Sequence, residues 1–94
     1  MSEIVNLHLG RRLRFRRKSM SLTQGEVGAI CGVTFQQVQK YESAASQMSA
    51  AMIWILSVGL EVDVRYFYDG LPPKAASAAS KRSASEGLLS APSP

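Results

Sequence analysis

The stretch "TFQQVQKYES", Thr34 to Ser43, gathers three amides (Gln36, Gln37 and Gln39), a lysine (Lys40) and an aromatic ring (Phe35) around Val38 and Tyr41. Wound as a helix, Val38, Tyr41 and Glu42 fall on one side, three or four residues apart. Gln36, Gln39, Lys40 and Ser43 fall on the other, and Phe35 and Gln37 flank the start. These side chains have a definite hydrogen-bonding chemistry. A glutamine amide can donate and accept at once, which matches the N6/N7 edge of adenine; lysine can donate to guanine O6/N7; a phenyl ring can press on a thymine methyl. The outward side carries no acid, as a phosphate-lined groove requires. Taken alone, the same face also fits a helix that is simply solvated, so the elements that hold it decide between the two readings.

Those elements are short and well punctuated. Thr34 is the N-cap of the amide-rich helix. Thr23 caps the helix before it, and Glu26, three residues on, completes a capping box. That helix carries Val27, Ile30 and Cys31 and ends at Gly32, which can take the left-handed conformation of a tight turn. Gly28 offers no side chain where the two helices cross, and Val27, Cys31, Val33, Val38 and Tyr41 supply the apolar contacts between them. Two capped helices joined through so brief a link form a helix-turn-helix pattern. Around it, the Leu9–Leu13 row predicts a first helix from about Leu7 to Lys18. Ser49 caps a fourth helix reaching Leu60, and Asp63 caps a short fifth, "VRYFYD", stopped by Gly70 and the Pro72–Pro73 pair. No strand signal competes. The expected fold is all-α, a compact five-helix domain over residues 1–71, with its second helix at 23–31 and its third at 35–43. Residues 72–94 are rich in Ala and Ser, lack aromatic residues and end in prolines, and are read as a disordered tail.

"LTQGEVGAICGVTFQQVQKYE", with "LGRRLRFRRK" before it and "LEVDVRYFYDGL" after, resembles the phage-repressor-like (lambda-repressor-like) helix-turn-helix regulators, the Xre family. The resemblance covers roughly Leu9 to Leu71. It implies a five-helix DNA-binding domain whose third helix enters the major groove of double-stranded DNA, with dimers on palindromic operators. By the same resemblance Phe35, Gln36 and Lys40 fall where the family reads bases. Thr34, Gln37 and Gln39 lie nearby as candidates for base or phosphate contact, with Ser43 on the same outward side. Thr23 and Gln24 open the second helix, where backbone N–H groups and the Gln24 amide would hold a phosphate; Thr23 is equally a plain N-cap.

Arg17 continues the Leu9–Leu13 row and so points partly inward, where a guanidinium needs a carboxylate. Glu42, on the inner side of the third helix, is the expected partner, and the resemblance implies an Arg–Glu pair at these positions. Arg11, Arg12, Arg14, Arg16 and Lys18 are read as more exposed, with Arg11 and Arg14 as phosphate candidates and a solvated basic face as the competing reading. After the third helix, "SAASQMSA" lacks the glycine and the basic residue that related sequences often carry near Ala44 and Gln47. In "AAMIWILSVGL", Ile53, Trp54, Leu56 and Leu60 are expected in the core. That leaves Met52, Ile55 and Val58 facing outward, and a helix apolar all round has something on both sides. A dimer contact shared with Tyr66, Phe67 or Tyr68 is the expectation.

Composition bounds the remaining classes. The 94 residues carry a net charge of +4, and six of the eight from Arg11 to Lys18 are basic; the pI is near 9.6. An anionic partner follows, nucleic acid before a membrane surface. The single cysteine, Cys31, rules out an internal disulfide and fits the reducing cytoplasm. His8 is the only histidine, and no catalytic dyad, metal cluster or phosphate-binding glycine loop is legible, so neither an enzyme nor a cofactor is expected. No apolar run is long enough to span a bilayer, and the basic run lies too deep for a leader peptide. Two other readings stand beside DNA binding: a protein-interaction module, an antitoxin or adaptor, using the apolar side of the fourth helix; and RNA or anionic-membrane binding through Arg11–Lys18, which leaves the glutamine face idle.

Overall fold

The computed structural model describes residues 1–71, which form five helices: α1 (Ser2–Ser19), α2 (Gln24–Cys31), α3 (Phe35–Glu42), α4 (Ala50–Gly59) and α5 (Arg65–Tyr68). No strand occurs among the described residues, so the fold they form is all-α. The expected tail, 72–94, lies outside the described residues.

The helix ends follow from local chemistry. Thr23 Oγ1 accepts from the Glu26 N–H while Glu26 Oε1 accepts from the Thr23 N–H, closing the capping box. Thr34 and Ser49 cap α3 and α4 by accepting from the N–H groups of Gln37 and Met52. Asp63 Oδ1 accepts from the Arg65 N–H and starts α5. α1 begins five residues earlier than the Leu9–Leu13 row predicts. Its extra turn and a half contributes only Val5 to the core, while Ile4 and Leu7 stay exposed, so it left no amphipathic signal. Glu3 in its first turn and Arg16, Arg17 and Lys18 in its last complement the helix dipole.

One core joins all five helices: Leu9 and Leu13 from α1, Val27 and Cys31 from α2, Val38 and Tyr41 from α3, Ile53 and Leu56 from α4, and Phe67 from α5. α1 crosses α3 at Gly10, where an added methyl would stand 2.5 Å from the Tyr41 carbonyl oxygen and 2.7 Å from that of Glu42. Only glycine allows so close a backbone approach.

Two assignments in the second half of the chain are corrected. Trp54 is not in the core but 62% exposed, because the buried row of α4 is Ile53, Leu56, Ser57 and Leu60, and Trp54 stands about 100° from Ile53. Met48, from the turn before α4, joins the core instead. Phe67 is fully buried, edge-on to Tyr66 with ring centroids 5.6 Å apart, and contributes nothing to an outer surface. Met52, expected to face outward, packs against the core. No described helix is long and apolar enough to cross a membrane.

Candidate nucleic-acid interface

The turn between α2 and α3 fixes the amide-rich helix against its neighbour. Gly32 holds φ +77°, and its N–H and that of Val33 both donate to the Gly28 carbonyl. At Gly28 a methyl would collide with the Val33 carbonyl. Two glycines thus let the chain reverse and let α3 lie close on α2, with Val27, Val38 and Tyr41 buried between them.

This seat leaves one side of α3 in solvent. Phe35 is 51% exposed, and Gln36, Gln39, Lys40 and Ser43 are exposed with it; Gln37 is half-buried. These five exposed residues form a single donor- and acceptor-rich face with no acid. Thr23 and Thr34 use their hydroxyl oxygens as caps.

Behind that face, Arg17 and Glu42 meet in a bidentate pair. Arg17 Nε donates to Glu42 Oε2 at 2.6 Å and Nη2 to Oε1 at 3.0 Å, with both side chains nearly buried. Arg17 Nη1 also donates to the Leu22 carbonyl, and Gln24 Nε2 to Glu42 Oε1 at 3.1 Å. The bond to Glu42 raises the Arg17 pKa above its ordinary value, against the opposing effect of burial. The network ties α1, the start of α2 and the end of α3 together. Gln24, read from the sequence as a phosphate ligand, holds this network with one of its amide hydrogens.

The basic run of α1 divides in two. Arg12 and Arg16, expected to be exposed, are half-buried and act within the fold. Arg12 lies 3.7 Å over the Tyr66 ring, and its Nε donates to the Tyr66 carbonyl while Tyr66 Oη donates back to the Arg12 carbonyl. Arg16 Nε donates to the Leu60 carbonyl at the end of α4. Their partners lie 44 and 54 residues away along the chain, which sequence spacing does not reveal. Arg11, Arg14 and Lys18 are exposed and make no side-chain hydrogen bond or ion pair among the described residues.

On another side, α4 presents Trp54, Ile55 and Val58 to solvent, the last two 40% and 59% exposed. Half-exposed Ile30 of α2 abuts α4, its Cγ2 lying 2.9 Å from where a Gly59 methyl would sit. Ile30 and Trp54 are therefore members of this surface that the sequence reading left out. Tyr68 is exposed and Tyr66 half-buried. No group of His, Cys, Asp and Glu suited to a metal ion occurs among the described residues.

The family model described as helix-turn-helix matches residues 13–67. Among curated proteins, the "uncharacterized HTH-type transcriptional regulator y4aM" of Sinorhizobium fredii (strain NBRC 101917 / NGR234) is 41% identical over 68 residues, which is 72% of this chain and 48% of that protein. An "uncharacterized HTH-type transcriptional regulator" of Sinorhizobium medicae (strain WSM419) is 35% identical over 72% of this chain and 49% of its own length. An "uncharacterized transcriptional regulator in ATPase CF(0) region" of Rhodospirillum rubrum is 37% identical over 71% of this chain and 62% of its own. The chain spans about half the length of the first two and three-fifths of the third. No solved structure gives a significant match.

Proposed function

The chain belongs to the helix-turn-helix family, and from that premise we propose that it is a sequence-specific, double-stranded-DNA-binding transcriptional regulator of the cytoplasm. It inserts α3 into the major groove. One observation carries the reading: an exposed, acid-free face of amides, Lys40 and Phe35 on a helix held rigidly from behind by the Arg17–Glu42–Gln24 network. A face that merely solvated a helix would need no such seat. Phe35, Gln36 and Lys40 read base edges; Thr34, Gln37, Gln39 and Ser43 support them or meet the backbone, as do Thr23 and Gln24 at the start of α2. Arg11 and Arg14 add phosphate contacts. Residues 1–71 form the DNA-binding domain, with 72–94 as its appended tail.

One such domain covers a single half-site, so useful specificity calls for two copies about one helical turn of DNA apart, roughly 34–36 Å. The exposed arc of α4, with Trp54, Ile55 and Val58, is the surface we assign to that homodimer, with Ile30 beside it. None of the ten residues of α4 is charged, so a copy can pack on its copy without stranding a charge. The same feature favours the second reading, a protein-interaction module acting as an antitoxin or adaptor through α4. Selection of bound duplexes from a random pool separates the two. A recovered consensus that shifts in Gln36→Ala supports DNA reading; no enrichment at all, with a stable complex to another protein, supports the second.

A further inference from the structure

The outer face of α1 carries apolar side chains that the described fold leaves in solvent. Ile4 and Leu7 are exposed, and Phe15 is 64% exposed. Among them stand Arg11 and Lys18, exposed and without an ion pair among the described residues. At the helical period these five fall within about 80° of one another, opposite the buried Leu9 and Leu13. DNA phosphates would leave Ile4, Leu7 and Phe15 idle. The same face of a second copy would set Arg11 and Lys18 against like charges. A membrane-surface helix keeps its cations on the polar side, whereas Arg11 stands between Leu7 and Phe15. The face calls for an acid next to large apolar side chains.

After Pro73 the sequence offers that combination once, in "SEGLLSA" at 85–91. Glu86 is the single acid there, and Leu88 and Leu89 are the only large apolar residues. The chain also leaves the domain beside this face. A methyl added at Gly70 would lie 3.4 Å from His8 Cε1, and His8 belongs to the row Ile4–His8–Arg11–Phe15. About fifteen residues separate Leu71 from Glu86, a reach of up to roughly 50 Å against about 27 Å for the whole of α1.

We propose that 85–91 docks on the outer face of its own α1, with Glu86 on Arg11 and Leu88 and Leu89 over Leu7 and Ile4. Two residues of extended chain span about 7 Å, and Arg11 lies about 6 Å along the helix from Leu7, so the acid and the first leucine match in spacing. The tether sets a local concentration on the order of millimolar, enough for a contact too weak to hold between separate molecules. Docking occupies Arg11 and so competes with a DNA phosphate. That consequence rests on the DNA-binding reading; the docking itself does not.

The test keeps the full chain. A spin label at Ser90→Cys, in a Cys31→Ala background checked by circular dichroism, is expected to broaden the NMR signals of Ile4, Leu7 and Arg11 more than those of Trp54 and Val58. Leu88→Ser/Leu89→Ser should abolish the difference. If the labelled background fails to fold, the Ile4 and Leu7 methyl shifts, compared between wild type and the unlabelled double variant, answer the same question. Equal broadening of α1 and α4, or unchanged methyl shifts, would overturn the docking. So would broadening found only when labelled chain is mixed with unlabelled, isotope-enriched chain, which would place the tail of another copy there. On a selected duplex the double variant should bind severalfold more tightly than wild type, and equal affinity would overturn the competition at Arg11. Broadening of α1 as expected, with no duplex bound by either protein, would keep the docking and sink the DNA reading.

Discussion

Arg17 of α1 and Glu42 of α3 face each other across 25 residues of chain in a two-pronged ion pair, with side chains only 12% and 5% exposed. Removing one partner strands the other charge in a place water barely reaches. Glu42→Gln should cost about 3–5 kcal/mol of stability, measured by urea unfolding. The double variant Arg17→Met/Glu42→Leu should recover most of that loss, because no charge is left unpaired. If the double variant is as unstable as the single one, the Leu22 and Gln24 bonds, not the charge pair, hold the network.

Ala44 and Glu61 end α3 and α4 at φ of +64° and +60°, a region that costs residues with a Cβ. Ala44→Gly and Glu61→Gly should each stabilise the domain by about 1 kcal/mol, the relieved strain exceeding the added flexibility of the unfolded chain. For a domain of this size that is roughly 4–8 °C in Tm. Melting temperatures unchanged in both would mean that the entropy of the new glycine cancels the relief.

Gln36→Ala and Lys40→Ala remove exposed side chains, so neither should alter thermal stability. On a cognate duplex each should cost about 1–3 kcal/mol and relax preference at one or two base pairs. Competition assays against single-base variants read this directly, and a preference identical to wild type in both would move base reading away from α3.

On α4, Ile55→Glu and Val58→Glu place a charge on the exposed arc, whereas Met52→Glu drives one against the core. The first two should yield folded monomers with weakened operator binding, and the third a destabilised fold. Sedimentation gives the mass and circular dichroism the folding. A wild-type monomer at high concentration would assign the arc to a different partner.

Burial pushes the Cys31 thiol above its ordinary value of 9.0. As pH rises, the unfolded chain therefore loses this proton first. The stability linked to Cys31 is complete below that ordinary value and declines as pH climbs toward the higher folded one. Between neutral and strongly alkaline pH, the urea midpoint of wild type should fall more steeply than that of Cys31→Ala.

What the sequence revealed follows the range of the forces involved. Thr23, Glu26, Gly32, Thr34 and Ser49 act on backbone groups within four residues, so α2, α3 and the start of α4 are legible from spacing. The Arg17–Glu42 pair is legible because each residue continues an apolar row. Trp54 and Phe67 are not. α4 is uncharged on every side, so periodicity cannot tell its buried arc from its exposed one. α5 offers Tyr66, Phe67 and Tyr68 in a single turn, too short to have a period. Arg12 and Arg16 look like any solvated cation until the chain brings the Tyr66 and Leu60 carbonyls to them.

Gly10 separates two properties that usually travel together. Where α1 meets α3, main chain rests on main chain, so the tilt of α3 has a hard stop that no side-chain repacking moves. Substitutions elsewhere in the core can therefore drift, loosening or tightening the domain, while α3 keeps its aim. Enlarging Gly10 does the reverse: Gly10→Ala removes no buried apolar surface, yet it would swing α3 away from α1. A library screened once for folding and once for target choice would find Gly10 far more restricted in the second screen than a neighbour such as Leu9.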